Sequence, residues 1–351
     1  MKKVLFFLIF ILFSCSAPKF EKVPEEDETY VVRLVAVGDN LIHSNVYEAA
    51  VIDNSYDFHP MFEDIKPYIK TFDLAFVNQE TILGGSEIGL SSYPCFNSPY
   101  EVGDALVDAG FNLISIANNH TLDRGEKGVL NALDYWDSKD VIYSGATRDE
   151  KTPQIKTFTK NNIKFAFVAY TYGTNGISHP NGKMHLANLY DDEIAAEDIE
   201  SIRDEVDVII VSMHWGEEYQ DMPNDTQAKQ AQYLSSLGVD IILGHHPHVI
   251  QPVDLIDKTY VVYSLGNFLS GQVGIDRIIG MAFSLTITKT NEEIEITNPE
   301  AKLLYHYRDN NKDFHIKFLT ELNSEILEDY LYYYEKKAKL ITKFNKNVIV
   351  K

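Results

Sequence analysis

Five short apolar runs in this chain each stop at a turn crowded with residues able to hold a metal ion. Val31 to Val37 runs into Gly38-Asp39 and then His43. Asp73 to Val77 runs into Asn78-Gln79-Glu80, and Leu113 to Ile116 into Asn118-Asn119-His120. Asp207 to Val211 leads to Met213-His214-Trp215-Gly216, and Ile241 to Leu243 to Gly244-His245-His246-Pro247-His248. Runs this short and continuous read as strands covered on both faces. Helical spacing lies between them, over Glu101 to Ala109, Gly128 to Ser138, Asp191 to Glu205 and Thr226 to Leu237. Strands alternating with helices predict an α/β fold, in which sites form beyond the carboxyl ends of the strands. Asn161-Asn162, between Gln154 to Phe158 and Ile163 to Ala169, predicts a hairpin.

Six of the eleven histidines sit at those run ends. His59, His179, His185, His306 and His315 do not, and are expected on the surface or in the core. Imidazole, carboxylate and amide ligands gathered at neighbouring strand ends suit a centre of two ions roughly 3.5–4 Å apart, with a bridging carboxylate; a mononuclear Zn site is the alternative, and it would leave several of these groups without work. That ligand set favours Mn, Fe or Zn, and no cysteine stands near it. The formal net charge of −21 disfavours a nucleic-acid partner.

The N-terminus reads as a targeting segment. Met1-Lys2-Lys3 is basic, Val4 to Phe13 is apolar but too short to span a bilayer, and Leu12-Phe13-Ser14-Cys15 resembles a lipobox. Cys15 is then the lipidation site, residues 1–15 a lipoprotein signal peptide, and polar, acidic residues 16–29 a flexible tether. Cleavage near Ala17 by ordinary signal peptidase is the alternative. The lipid would make the protein an extracytoplasmic, membrane-anchored lipoprotein. Cys95 would be left without an intrachain partner.

Six motifs in order carry a more specific signal. They are Gly38-Asp39, Asn78-Gln79-Glu80, Ala117-Asn118-Asn119-His120 with Asp123 and Gly125, His214-Trp215-Gly216, Gly244-His245-His246-Pro247-His248-Val249, and Tyr263-Ser264-Leu265-Gly266-Asn267-Phe268. Over about residues 31–285 this series resembles the bacterial capsule-synthesis (poly-γ-glutamate, CapA-type) family, which is related to calcineurin-like metallophosphoesterases. The resemblance implies a four-layer α/β/β/α metallophosphatase-like sandwich over residues 30–290, with a C-terminal strand and helix extension over 291–351. It also implies a divalent metal centre of two ions. Asp39 matches the first aspartate, Glu80 the bridging carboxylate, Asn119 and His120 the Asn-His pair, and His214 the mid-chain histidine. Two of His245, His246 and His248 match the final histidine pair. The chain departs from the phosphoesterase pattern in lacking Asp-X-His and in placing Glu where the bridging residue is Asp.

Asn119, His120 and Asp123 are the candidate catalytic residues. Asp123-Arg124-Gly125 orients His120 or binds an anion, or else begins a helix with a surface arginine. Arg124, Trp215 and Asn267 are candidate substrate contacts, against the alternatives of a packed Trp and a structural turn. His43 is a ligand or faces the core. The functional expectation is a metal-dependent hydrolase or transferase acting on a cell-envelope polymer such as poly-γ-glutamate, with a polymer-synthesis complex as partner. The alternative is a non-catalytic factor that binds the polymer during assembly or export.

Overall fold

A computed structural model describes residues 1, 3–5, 28–309 and 313–351. Cys15, the signal peptide beyond its first residues and most of the expected tether lie outside the described residues. Among the described residues no helix is long and apolar enough to cross a membrane.

In chain order the strands are β1 (Thr29–Leu41), β2 (Val51–Ile52), β3 (Ser55–Tyr56), β4 (Leu74–Gln79), β5 (Leu113–Ser115), β6 (Ile142–Ser144), β7 (Lys156–Lys160) and β8 (Ile163–Thr171). They continue as β9 (Val208–His214), β10 (Ile241–His245), β11 (Val253–Ile256), β12 (Thr259–Val262), β13 (Asn267–Ser270), β14 (Ile279–Thr290), β15 (Glu293–Asp309), β16 (Asp313–Phe318) and β17 (Ile349–Val350). β2 and β3 form a separate small hairpin; the rest build two sheets. The first runs β16-β15-β14-β1-β4-β5-β6, with β13 also on β1 and β17 on β15. The second runs β11-β12-β10-β9-β8-β7. In both sheets the central strands are parallel: β1, β4, β5 and β6 in one, β12, β10, β9 and β8 in the other. Residues 291–351 therefore extend the first sheet.

Three separate cores show the layering. Alternate residues of β1 face opposite ways: Val35 and Val37 pack under the helices with Val102, Leu106, Val129 and Trp136, while Val32, Leu34 and Ala36 pack on the second sheet with Phe165, Phe167, Ile210 and Leu243. A third core puts Val168, Ile209 and Val211 under Ile199, Ala231 and Leu234 of the helices Asp192–Ile202 and Asp225–Ser236. Strands buried on both faces must be apolar at successive positions, which is why the runs do not alternate. Helix, sheet, sheet and helix thus form the expected four-layer α/β/β/α sandwich.

The helix starts follow from capping chemistry. Asn224 and Gln227 exchange a capping box ahead of Asp225–Ser236, and the Asp191 carboxylate accepts from the Glu193 and Ile194 N–H groups. Asn161 and Asn162 both take positive φ between β7 and β8, the geometry of a tight hairpin. The helix of the expected C-terminal extension is Tyr330–Ile341. Tyr330, Tyr333 and Tyr334 pack against the inter-sheet core, so its aromatic stripe is packing.

Candidate metal centre

The parallel strands of both sheets deliver their carboxyl ends to one place. Asp39 sits where the pairing of β1 with β4 and with β13 slips register. Its neighbour Gly38 is required there, because a Cβ would meet Gly266 O at 1.7 Å. The Asp39 N–H donates to that same Gly266 carbonyl. Glu80 follows β4, Asn118 to His120 follow β5, His214 ends β9, and His245 ends β10. His246 and His248 then turn inward with positive φ of 93° and 58°. A bulky residue avoids that region unless its surroundings hold it there.

Among the described residues, three groups offer ligand atoms that all lie within 4.8 Å of one another: Asp39, Glu80 and His248; Glu80, His214 and His246; and Glu218, His246 and His248. Glu80 is common to the first two. Its Oε1 lies 3.7 Å from His248 Nε2 and 3.8 Å from His214 Nε2, too far for hydrogen bonds. Of the three clustered histidines, His246 and His248 join these groups and His245 joins none. His245 stacks on Phe76 behind them, with its Nδ1 3.8 Å from Asp39 Oδ1.

Electrostatics favour a cation here. Both Glu80 oxygens, both His245 nitrogens and His246 Nδ1 are buried without a hydrogen-bond partner. A buried polar atom left so is costly unless something else satisfies it. Burial raises the Glu80 pKa well above the usual carboxylate range, and the charges of Asp39, Glu218 and Asp123 add to the rise against the opposing pull of His248. Burial also opposes ionisation of Asp39, yet the hydrogen bond and charge of His248 hold its pKa below the usual value. For His248 burial works against the proton, but Glu80 and Asp39 outweigh it and raise the pKa to about 9. The two carboxylates thus favour the charged form of His248. Burial favours the neutral form of the others: His245 is lowered to about 4, His246 to about 3, and His214 well below its ordinary value. This donor set of carboxylates and neutral imidazoles fits a divalent ion.

Surrounding contacts aim these groups. His248 Nδ1 lies 3.1 Å from both Asp39 Oδ2 and Asn267 Oδ1, two acceptors, so Nδ1 carries the hydrogen and Nε2 faces Glu80. Asn78 donates from Nδ2 to Asp39 Oδ1. Asn119 Oδ1 lies 3.0 Å from His214 Nε2. His120 belongs to none of the three groups; its Nδ1 sits 2.7 Å from the buried Asp123 Oδ2, which also accepts from the Phe96 N–H.

The candidate substrate contacts sit elsewhere than expected. Trp215 is 1% exposed, packs on Tyr263 and donates its indole N–H to Tyr263 O, so it is a core residue. Asn267 is fully buried behind His248, not at a rim. Arg124 donates to Ser91 Oγ and Ile88 O, which fastens the loop before the helix Glu101–Ala109. His43 is edge-on to Phe96, with its Nδ1 accepting from the Gly271 N–H. Sequence reasoning missed Tyr172, Glu218 and Tyr219, and gave Asn78 no role of its own within its motif. Tyr172 lies over His246 at 4.8 Å between ring centres, and Tyr219 lies 6.2 Å from His248. Asn78 stood at the end of an apolar run, and Glu218 four residues after His214, so both positions were readable in principle.

The profile of the bacterial capsule synthesis protein family PGA_cap matches residues 33–272. The chain belongs to that family. Relatives of this PGA_cap chain include the PGA biosynthesis protein CapA of Bacillus subtilis, 32% identical over 176 residues, which are 48% of this chain and 44% of that protein. The capsule biosynthesis protein CapA of Bacillus anthracis is 28% identical over 266 residues, 70% of this chain and 61% of that protein. The matches thus span less than two thirds of those relatives. A solved structure described as a novel phosphatase from Mycoplasma pneumoniae aligns with a TM-score of 0.50 and 13% identity, covering 79% of this chain and 95% of that one. At that identity it supports the metallophosphoesterase-like fold alone.

Proposed function

We propose that this PGA_cap chain is a metal-dependent hydrolase or transferase of capsule polymer metabolism at the cell envelope, acting on a polymer such as poly-γ-glutamate. The observation that carries it is Glu80, fully buried with neither oxygen bonded, set between His214 and His248. Asp39, Glu80, His214, His246 and His248 would hold two ions of Mn, Fe or Zn, with Glu80 shared. Bound ions supply Lewis acidity and lower the pKa of water. His120, held by Asp123 at its Nδ1, would move a proton at the leaving or attacking oxygen. Asn119 steadies His214.

Elemental analysis of purified protein incubated with Mn or Zn is the test. Glu80→Ala and His248→Ala are expected to lose most of the metal while circular dichroism stays native, and His315→Ala to keep it. Wild-type protein that stays empty would sink the metal-centre reading. Metal bound without turnover on phosphoester, amide and polymer substrates would favour the assembly or export factor, which the relatives' biosynthetic names also fit. Anchorage through Cys15 belongs to the same proposal. Cys15→Ser is expected to move the protein from membranes to the soluble fraction, and retention after a carbonate wash would refute it.

A further inference from the structure

The chain carries 52 acidic residues against 31 basic ones, so a basic side chain without an acidic partner is conspicuous. Among the described residues, no carboxylate pairs with the Arg277 guanidinium. Its neighbour Asp276 is already taken by Lys336 at 3.2 Å and Lys337 at 2.9 Å. Arg277 instead lies over the Tyr219 ring, with its Cζ 4.5 Å from the ring centre. The same ring lies against His248.

Two routes fix Arg277 relative to the metal-competent cluster. Tyr219 is held with φ of 67°, and its N–H donates to Pro247 O in the histidine turn. Asn267, whose Oδ1 meets His248 Nδ1, donates from Nδ2 to Arg277 O and to Gln272 Oε1. Gln272 in turn donates to the Tyr219 hydroxyl at 3.4 Å. The Arg277 backbone and the ring beneath its guanidinium are thus built onto His248 from both sides. Glu218, the nearest acid in sequence to Tyr219, shares a ligand group with His246 and His248. A half-buried guanidinium lying on an aromatic face keeps its in-plane N–H groups free, the geometry that takes a planar oxyanion by two parallel hydrogen bonds.

We propose that Arg277, stacked on Tyr219, is an oxyanion-binding subsite of the centre, and that the anion it takes is a backbone carboxylate of the polymer. A γ-linked glutamate chain leaves one free carboxylate on every residue, so a unit positioned at the cluster always has a neighbour to offer. The choice of polymer rests on the function proposed above; the oxyanion subsite rests on Arg277 alone.

Titration calorimetry on the full chain in the presence of Mn tests both parts. The probes are a short γ-linked glutamate oligomer, the same oligomer with its carboxylates converted to carboxamides, and inorganic phosphate. Arg277→Gln is expected to bind the acidic oligomer at least tenfold more weakly than wild type, with Mn content and circular dichroism unchanged. Arg277→Lys should fall between, since it restores charge without the planar fork. The carboxamide oligomer should bind both forms equally weakly. Equal affinity of wild type and Arg277→Gln for the acidic oligomer overturns the subsite. Phosphate binding that depends on Arg277, with no binding of the oligomer, keeps the subsite and refutes the polymer. Binding of neither anion by wild type overturns both.

Discussion

Asp123 and Glu80 are both buried carboxylates at strand ends, yet their neighbours give them different work. Glu80 has two bare oxygens facing His214 and His248. Asp123 has one oxygen fully used, accepting from the Phe96 N–H while touching His120 Nδ1 at 2.7 Å. A carboxylate on Nδ1 fixes the imidazole so that Nε2 points outward, and it stabilises the ring if it takes a proton. Beside them, Asn175 Oδ1 accepts from Asn119 Nδ2. Losing the charge while keeping the shape should therefore strike proton transfer and spare the metal. For Asp123→Asn we expect bound metal to match wild type and turnover on a responsive phosphoester or polymer substrate to fall about 10²–10⁴-fold. Metal analysis beside steady-state kinetics checks it, and wild-type turnover in the variant would strip His120 and Asp123 of a catalytic role.

Elements were legible where the chain punctuates itself. β10 was readable because three apolar residues run straight into Gly244 and a histidine turn, and β4 because Leu74 to Val77 stop at a polar Asn78. The Asn161-Asn162 hairpin was readable because only residues tolerant of positive φ fit it. The start of the helix Tyr330–Ile341 was not legible, because its polar approach, Glu321 to Asp329, has helical composition but leads into the helix as turns. The site shows the same division. Ligand types at strand ends were visible, because strand direction alone brings them together. Which histidine faces inward was not, because that depends on the backbone of His246 and His248 taking positive φ, which leaves His245 behind them against Phe76. Trp215 misled for a related reason. It follows His214 directly, and successive side chains at a strand end point to opposite faces, so the residue beside a ligand is the one turned into the core.

At the scale of the whole molecule, the two sheets meet across an apolar core, with the cluster at one end and polar pins at the other. At the carboxyl ends of the parallel strands, Asp39, Glu80 and Asp123 crowd together. At their amino ends, Asp207 just before β9 accepts from Lys289 Nζ of β14 at 2.8 and 3.0 Å and from the Lys164 N–H of β8 at 2.8 Å. Asn161 adds a second pin there, donating from Nδ2 to Val31 O and Asp73 Oδ1. Asp207 thus ties one sheet to the other far from the site. Burial tends to raise its pKa, but the Lys164 N–H and Lys289 lower it overall. A carboxyl whose folded pKa lies below its unfolded value, near ~3.9 for Asp, stabilises the fold fully above that value. The contribution is lost as pH falls through the folded value, where the protonated acid no longer attracts Lys289. Asp207→Asn removes the charge at every pH. It should therefore cost about 1–3 kcal/mol of stability at neutral pH, and its deficit against wild type should shrink steadily as the solution is acidified below about pH 4. Bound metal should be untouched, since the pin and the cluster lie at opposite ends of the strands. Urea denaturation of both proteins across that pH range reads the difference. A deficit that is absent at neutral pH, or constant down to the lowest pH at which both still fold, would show that the ion pair does not hold the sheets together.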